Sequence, residues 1–108
     1  MLDADAIYKK VLESGEEYAD LKATYRMLDE STKSVLAQGV QAYRPDSESH
    51  AEALSRALAS TPYRDHLAAV ALAHAAYLKA QVRYESAKML SELRRTQESS
   101  KRAEMNLR

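Results

Sequence analysis

The chain has no cysteine, no tryptophan and no phenylalanine, and among its 108 residues only 2 are glycine and 2 are proline. Without cysteine there is no disulfide scaffold, no thiolate chemistry and no zinc ribbon. At average usage of about 7% and 5%, glycine and proline together would number roughly 13. So few turn formers exclude a sandwich of many short strands. They also exclude the glycine-rich loops of dinucleotide and phosphate sites. Val and Ile are sparse and never alternate with polar residues, so no strand is expected. The longest apolar run, Leu67 to Ala73, is about a third of a membrane span of roughly 20 residues. Neither sign of charge dominates, with 16 Lys plus Arg against 16 Asp plus Glu. The opening stretch MLDADAIYKK carries two Asp and no apolar core, so no secretory leader and a cytoplasmic location are expected.

What is present points to helices. Apolar residues make up 45% and charged residues 30% of the chain, too apolar for disorder and too polar for a membrane protein. The expected fold is all-α: one domain over 1–108, an antiparallel hairpin of two long coiled-coil-like helices joined by a short helix, and oligomeric. The helices are expected at about 3–43, 47–59 and 62–106. Pro45 cannot continue a helix and should push Arg44 out of the α region. Thr61 is the expected N-cap, with Pro62 at the first helical position. Ser49 and Glu52 have capping-box spacing.

The first helix has a seven-residue rhythm. One row runs Ala4, Val11, Tyr18, Tyr25, Thr32, Gly39, and its companion runs Ile7, Ser14, Leu21, Leu28, Val35, Ala42. Gly15 beside Ser14 marks either a close approach of the partner helix or a bend. In the third helix the residues Leu67, Ala71, His74, Leu78, Val82, Glu85, Met89 and Leu93 advance nearer an eleven-residue repeat, with Val70, Tyr77 and Tyr84 flanking them. That rhythm predicts weak or right-handed supercoiling. Two helices about 60 Å long have little interior, and Tyr8, Leu12, Leu36, Val40, Leu72 and Leu90 are left as apolar surface. Self-association is expected on that ground.

Candidate chemistry is scarce. Three histidines occur, at 50, 66 and 74, with no Glu-x-x-His and no His-Glu-x-x-His. His74 reads as a satisfied core or interface residue, and His66 as a surface or helix-start residue near Asp65. No metal, no cofactor, no small-molecule substrate and no catalytic residue is expected. The stretch from Arg83 to Arg108 holds seven cations and four anions. Lys88, Arg95 and Arg102 recur every seven residues, as do Arg94, Lys101 and Arg108, giving two neighbouring basic rows that would track phosphates. The competing reading is a solvated helix end whose cations complement the helix dipole. All seven aromatic rings are tyrosine. Tyr18, Tyr25, Tyr77 and Tyr84, with Leu28, Val35 and Leu78, are the expected interface residues. Tyr stacking on single-stranded bases is the less favoured alternative.

Thr61-Pro62-Tyr63, Arg83 with Ala87, Arg94-Arg95-Thr96-Gln97 and Lys101-Arg102-Ala103 resemble a pattern in small phage-encoded coiled-coil proteins found near single-strand-annealing and recombination genes. The resemblance covers about the last 45 residues. The family often carries Trp where Leu93 or Arg94 stands here. It implies a phage origin, a host-cytoplasmic location and an accessory role in DNA recombination or replication. The expected function is non-enzymatic binding of single-stranded DNA or a DNA-bound partner. The alternatives are a phage-encoded inhibitor of a host defence or nuclease complex, or a structural adaptor.

Overall fold

A computed structural model describes residues 3–107, and Arg108 lies outside them. The described residues are all-α, in the order α1 (Ala4–Glu30), α2 (Thr32–Tyr43), a 3₁₀ turn (Arg44–Asp46), α3 (His50–Leu58) and α4 (Thr61–Asn106). They divide into two compact units. The first joins the residues up to Asp20 to those from Leu78 onward, and the second is Leu21–Tyr77.

Asp3 opens α1: its Oδ1 accepts from the Ala6 N–H at 2.7 Å and its carbonyl accepts from the Ile7 N–H. In the first unit α1 and α4 run antiparallel. The Arg83 guanidinium donates to Glu17 Oε1 at 2.7 Å, and Gly15 and Tyr18 both meet Tyr84. Ile7 on α1 and Ala80 and Ala87 on α4 are buried. In the second unit the Tyr25 ring stacks on His74 and Tyr77, and Thr32 Oγ1 is hydrogen-bonded to His66 Nε2 at 3.0 Å. There α3 packs on α2, with Ala53 and Ala57 fully buried and Ala57 against Gly39.

The expected single helix over 3–43 is interrupted at Ser31. The hydroxyls of Ser31 and Thr32 both donate to the Leu28 carbonyl, at 2.8 and 3.4 Å. Side chains that bond backward in this way compete with the helical ladder. Around this interruption the seven-residue seam holds: its positions from Ile7 to Gly39 are all buried or half-buried.

Three further expectations are corrected. Arg44 keeps helical angles (φ −56°, ψ −42°). Pro45 is accommodated inside the 3₁₀ turn, and the chain becomes extended only at Ser47 (φ −116°, ψ 145°). The corner is tied by Ser47 Oγ donating to the Tyr43 carbonyl, and by Arg56 donating to the Asp46 carbonyl. Second, α4 starts at its expected cap, one residue before Pro62: Thr61 is already helical, and the carbonyl of buried Ser60 accepts the first helical bond, from Arg64. Ser49, by contrast, caps α3 as expected, accepting from the Glu52 N–H, while Glu52 reaches back to the Glu48 N–H.

The third correction concerns α4. The stripe of Leu67, Ala71, His74, Leu78, Val82, Glu85, Met89 and Leu93 is exposed along its whole length. The inward rows are Tyr63, Val70, Tyr77, Tyr84 and His66, Ala73, Ala80, Ala87, which repeat every seven residues. The eleven-residue rhythm therefore describes the outer face. The inner face alternates a wide ring with a methyl group. Alanine there lets helix backbones approach, and tyrosine fills the space left between turns. Of the six residues expected as apolar surface, Tyr8, Leu12 and Leu72 are exposed, whereas Leu36, Val40 and Leu90 are half-buried.

Candidate functional site

The basic rows lie on the last turns of α4, in the first unit. Since Glu17 pairs with Arg83, α4 has more turns left after that contact than α1 has before it. Consequently every described residue from Ser99 to Leu107 is exposed. The inward row ends in the half-buried Arg94 and Glu98, and its continuation through Lys101 and Met105 is exposed, so the seam turns charged as α4 passes the start of α1.

The six expected nucleic-acid contacts are placed differently from one another. Lys88 sits over the Tyr84 ring, 4.5 Å from its centroid, a cation–π arrangement that holds its ammonium at the body of the hairpin. Arg94 is half-buried and pairs with Glu98, one turn on, at 3.2 Å. Arg95, Lys101 and Arg102 are exposed and form no ion pair among the described residues. Arg108 lies outside the described residues. Three of the six cations thus present their charge to solvent on neighbouring rows. Lys101 borders two shallow surface hollows, one shared with Arg94 and Gln97 and one with Arg102 and Met105.

The expected interface residues mostly face inward within this chain. Tyr18 stacks on Tyr84 with centroids 5.6 Å apart and planes 26° apart. Tyr25 stacks on His74 at 4.6 Å and on Tyr77 at 5.7 Å. Leu28 and Val35 are half-buried, and Leu78 is exposed. His66 holds an inward position against Thr32, while His74 lies outside the inward rows yet stacks on Tyr25. Stacked tyrosines on the seam are not displayed as a platform for bases.

Sequence reasoning did not find an apolar groove in the first unit. It runs between α1 and Tyr84, over Tyr8, Leu12, Gly15 and Ala19. Its signal was the row Tyr8, Leu12, Gly15, Ala19 one position round the helix from the seam, two large residues followed by two small ones. No group of three or more His, Cys, Asp or Glu among the described residues is placed to hold a metal ion. No described helix is long and apolar enough to cross a membrane. No protein-family model matches the chain, and comparison with curated proteins and with solved structures finds no match.

Proposed function

We propose that this protein acts by binding rather than catalysis, as a homo-oligomer, and that the free end of α4 contacts the phosphate backbone of single-stranded DNA. The role is an accessory one in DNA recombination or replication, of the kind its resemblance to phage-encoded coiled-coil proteins implies. The observation that supports it is the exposure of Arg95, Lys101 and Arg102 on adjacent rows with no carboxylate partner among the described residues. Cations at such spacing follow a phosphate strand without reading its sequence. Because Tyr77 and Tyr84 are engaged with other rings, the contact is electrostatic and rests on no base stacking.

The test is the salt dependence of binding to a single-stranded oligonucleotide. Changing Arg95, Lys101 and Arg102 to Gln keeps helix propensity nearly constant. At about 0.7 per contact, the slope of log affinity against log salt should fall by about two. Tyr77→Leu should leave the slope unchanged. A triple variant that binds as the parent does removes the reading.

A second reading is a protein-directed role, as an inhibitor of a host defence or nuclease complex or as an adaptor. The exposed outer side of α4, with Val82, Met89 and Leu93 each more than half exposed, favours it. Absence of any binding to DNA at low salt would make it the better one.

A further inference from the structure

We propose that a second copy of this chain packs antiparallel on the Tyr8–Leu12–Gly15–Ala19 face of α1, around a two-fold axis passing between Leu12 and Gly15. This deepens the proposed self-association and rests on it.

The need for a partner is visible in what is buried. Among the described residues the buried apolar ones are Ile7, Ala53, Ala57, Ala80 and Ala87, and no large side chain is fully enclosed. The accessible surface is 8220 Å². A monomer of 12.1 kDa leaves roughly 6,000 Å². The surplus is about 2,200 Å², and each partner in a stable interface of standard size contributes only about 800 Å².

The α1 face carries its own complement. Tyr8 is 69% and Leu12 51% exposed, four residues apart and hence on one side of the helix. Gly15 and Ala19, with the same spacing, continue that side as a hollow floored by the Tyr84 ring. An antiparallel copy related by the stated axis sets Leu12 over the partner's Gly15, and Tyr8 over the partner's Ala19. Large side chains then fill the hollow of the other copy, twice, as an isologous contact requires. Because the Tyr84 ring already lies against Gly15, the partner's Leu12 meets that ring, and Ala19 alone leaves room for the larger Tyr8.

Charge agrees with the same register. Lys9 and Glu16 are exposed on the outer edge of this face, seven residues apart. The two-fold operation brings each Lys9 within two residues, about 3 Å along the axis, of the level of the partner's Glu16, within reach of its long side chain. Within one chain Lys9 reaches only Glu13, at 3.8 Å and with both side chains largely in water, a pair that offers little competition. The parallel arrangement would instead set Lys9 beside the partner's Lys9 and Leu12 on the partner's Leu12. A foreign protein would have to supply this same sequence of bulk and charge, which a second copy already has.

The absence of cysteine makes the test clean. Two single-cysteine chains, Tyr8→Cys and Ala19→Cys, are mixed and oxidised gently, with Met89→Cys on the outer side of α4 as the control. The expected product is the mixed Tyr8–Ala19 disulfide, in large excess over either self-linked species. Sedimentation of the parent should show a dimer. Leu12→Glu, which places a charge in the contact twice, should raise its dissociation constant on the order of a hundredfold. A parent dimer without enrichment of the mixed disulfide overturns this face and leaves self-association standing. Self-linking of Met89→Cys in place of the mixed product does the same by moving the contact to α4. A parent that stays monomeric at every concentration overturns both, and the face then belongs to a different protein.

Discussion

Gly15 lies against the ring of Tyr84: a Cβ built at Gly15 would stand 3.0 Å from Tyr84 Cε1 and 3.4 Å from Cδ1. Tyr18, almost one turn further along α1, stacks on the same ring. Neither glycine of the chain has a positive φ, so both are there for room and not for conformational freedom. Gly15 makes room for a ring, and Gly39 makes room for a helix, with Ala57 Cβ at 3.1 Å and Ala57 Cα at 3.7 Å.

That difference predicts opposite tolerance. Alanine gains about 1 kcal/mol over glycine in a helix interior. At Gly15 the obstacle is the edge of a half-buried ring that pivots about two torsions, so Gly15→Ala should stay within about 0.5 kcal/mol of the parent. At Gly39 the obstacle is a Cβ fixed to the backbone of α3, and overpacking of that kind costs about 1–3 kcal/mol. Gly39→Ala should therefore lower the melting temperature measured by circular dichroism. A rise would show that α2 and α3 tolerate more separation than their contact suggests.

Two serines should respond in opposite directions. Ser49→Ala removes the acceptor for the Glu52 N–H and should cost about 1 kcal/mol. Ser31→Ala removes a hydroxyl that takes the Leu28 carbonyl at the interruption of the first long helix. It should stabilise by up to about 0.5 kcal/mol, since alanine is the better helix former. Chemical denaturation of the two single variants checks the signs.

The pair of Arg83 with Glu17 joins α1 to α4, and both side chains are about half exposed. Its coupling in a double-mutant cycle of Arg83→Gln and Glu17→Gln should be about 0.2–1 kcal/mol. It should shrink as salt is raised from low ionic strength. A coupling well above that range would mean the pair is shielded from water, as it would be beneath a partner.

The inner face of the first long helix was legible because bulk and period coincide there. Tyr18, Leu21, Tyr25 and Leu28 are both the large residues and the inward ones. In α4 they diverge. Leu78, Val82, Met89 and Leu93 outweigh Ala73, Ala80 and Ala87 on any hydropathy count, yet the alanines are inside. The seven-residue spacing of Tyr63, Val70, Tyr77 and Tyr84 carried the correct register; a heptad of tyrosine and alanine is simply weaker in apolar weight than the outer stripe. Ser31 left no helix-breaking signature, because its effect comes from where a hydroxyl points. Among the basic residues, spacing located the rows. It did not separate Arg95, Lys101 and Arg102 from Arg94 and Lys88, since the Glu98 pair and the Tyr84 ring are contacts of placement.

The corner at Arg44–Asp46 sets an order for assembly. Gly39 and Ala57 meet across a short loop, Thr32 and His66 across 34 residues, and Glu17 and Arg83 across 66. Each closure shortens the free loop for the next, so its entropic cost is met in small instalments. Folding should begin with α2 on α3 and close the longer loops in turn, and unfolding should begin in the first unit. Amide protons near Gly39 and Ala57 would then exchange last, and those of the first turns of α1 and the last turns of α4 first. In this order the charged end of α4 is a strand of helix that can loosen and refold while the corner stays shut.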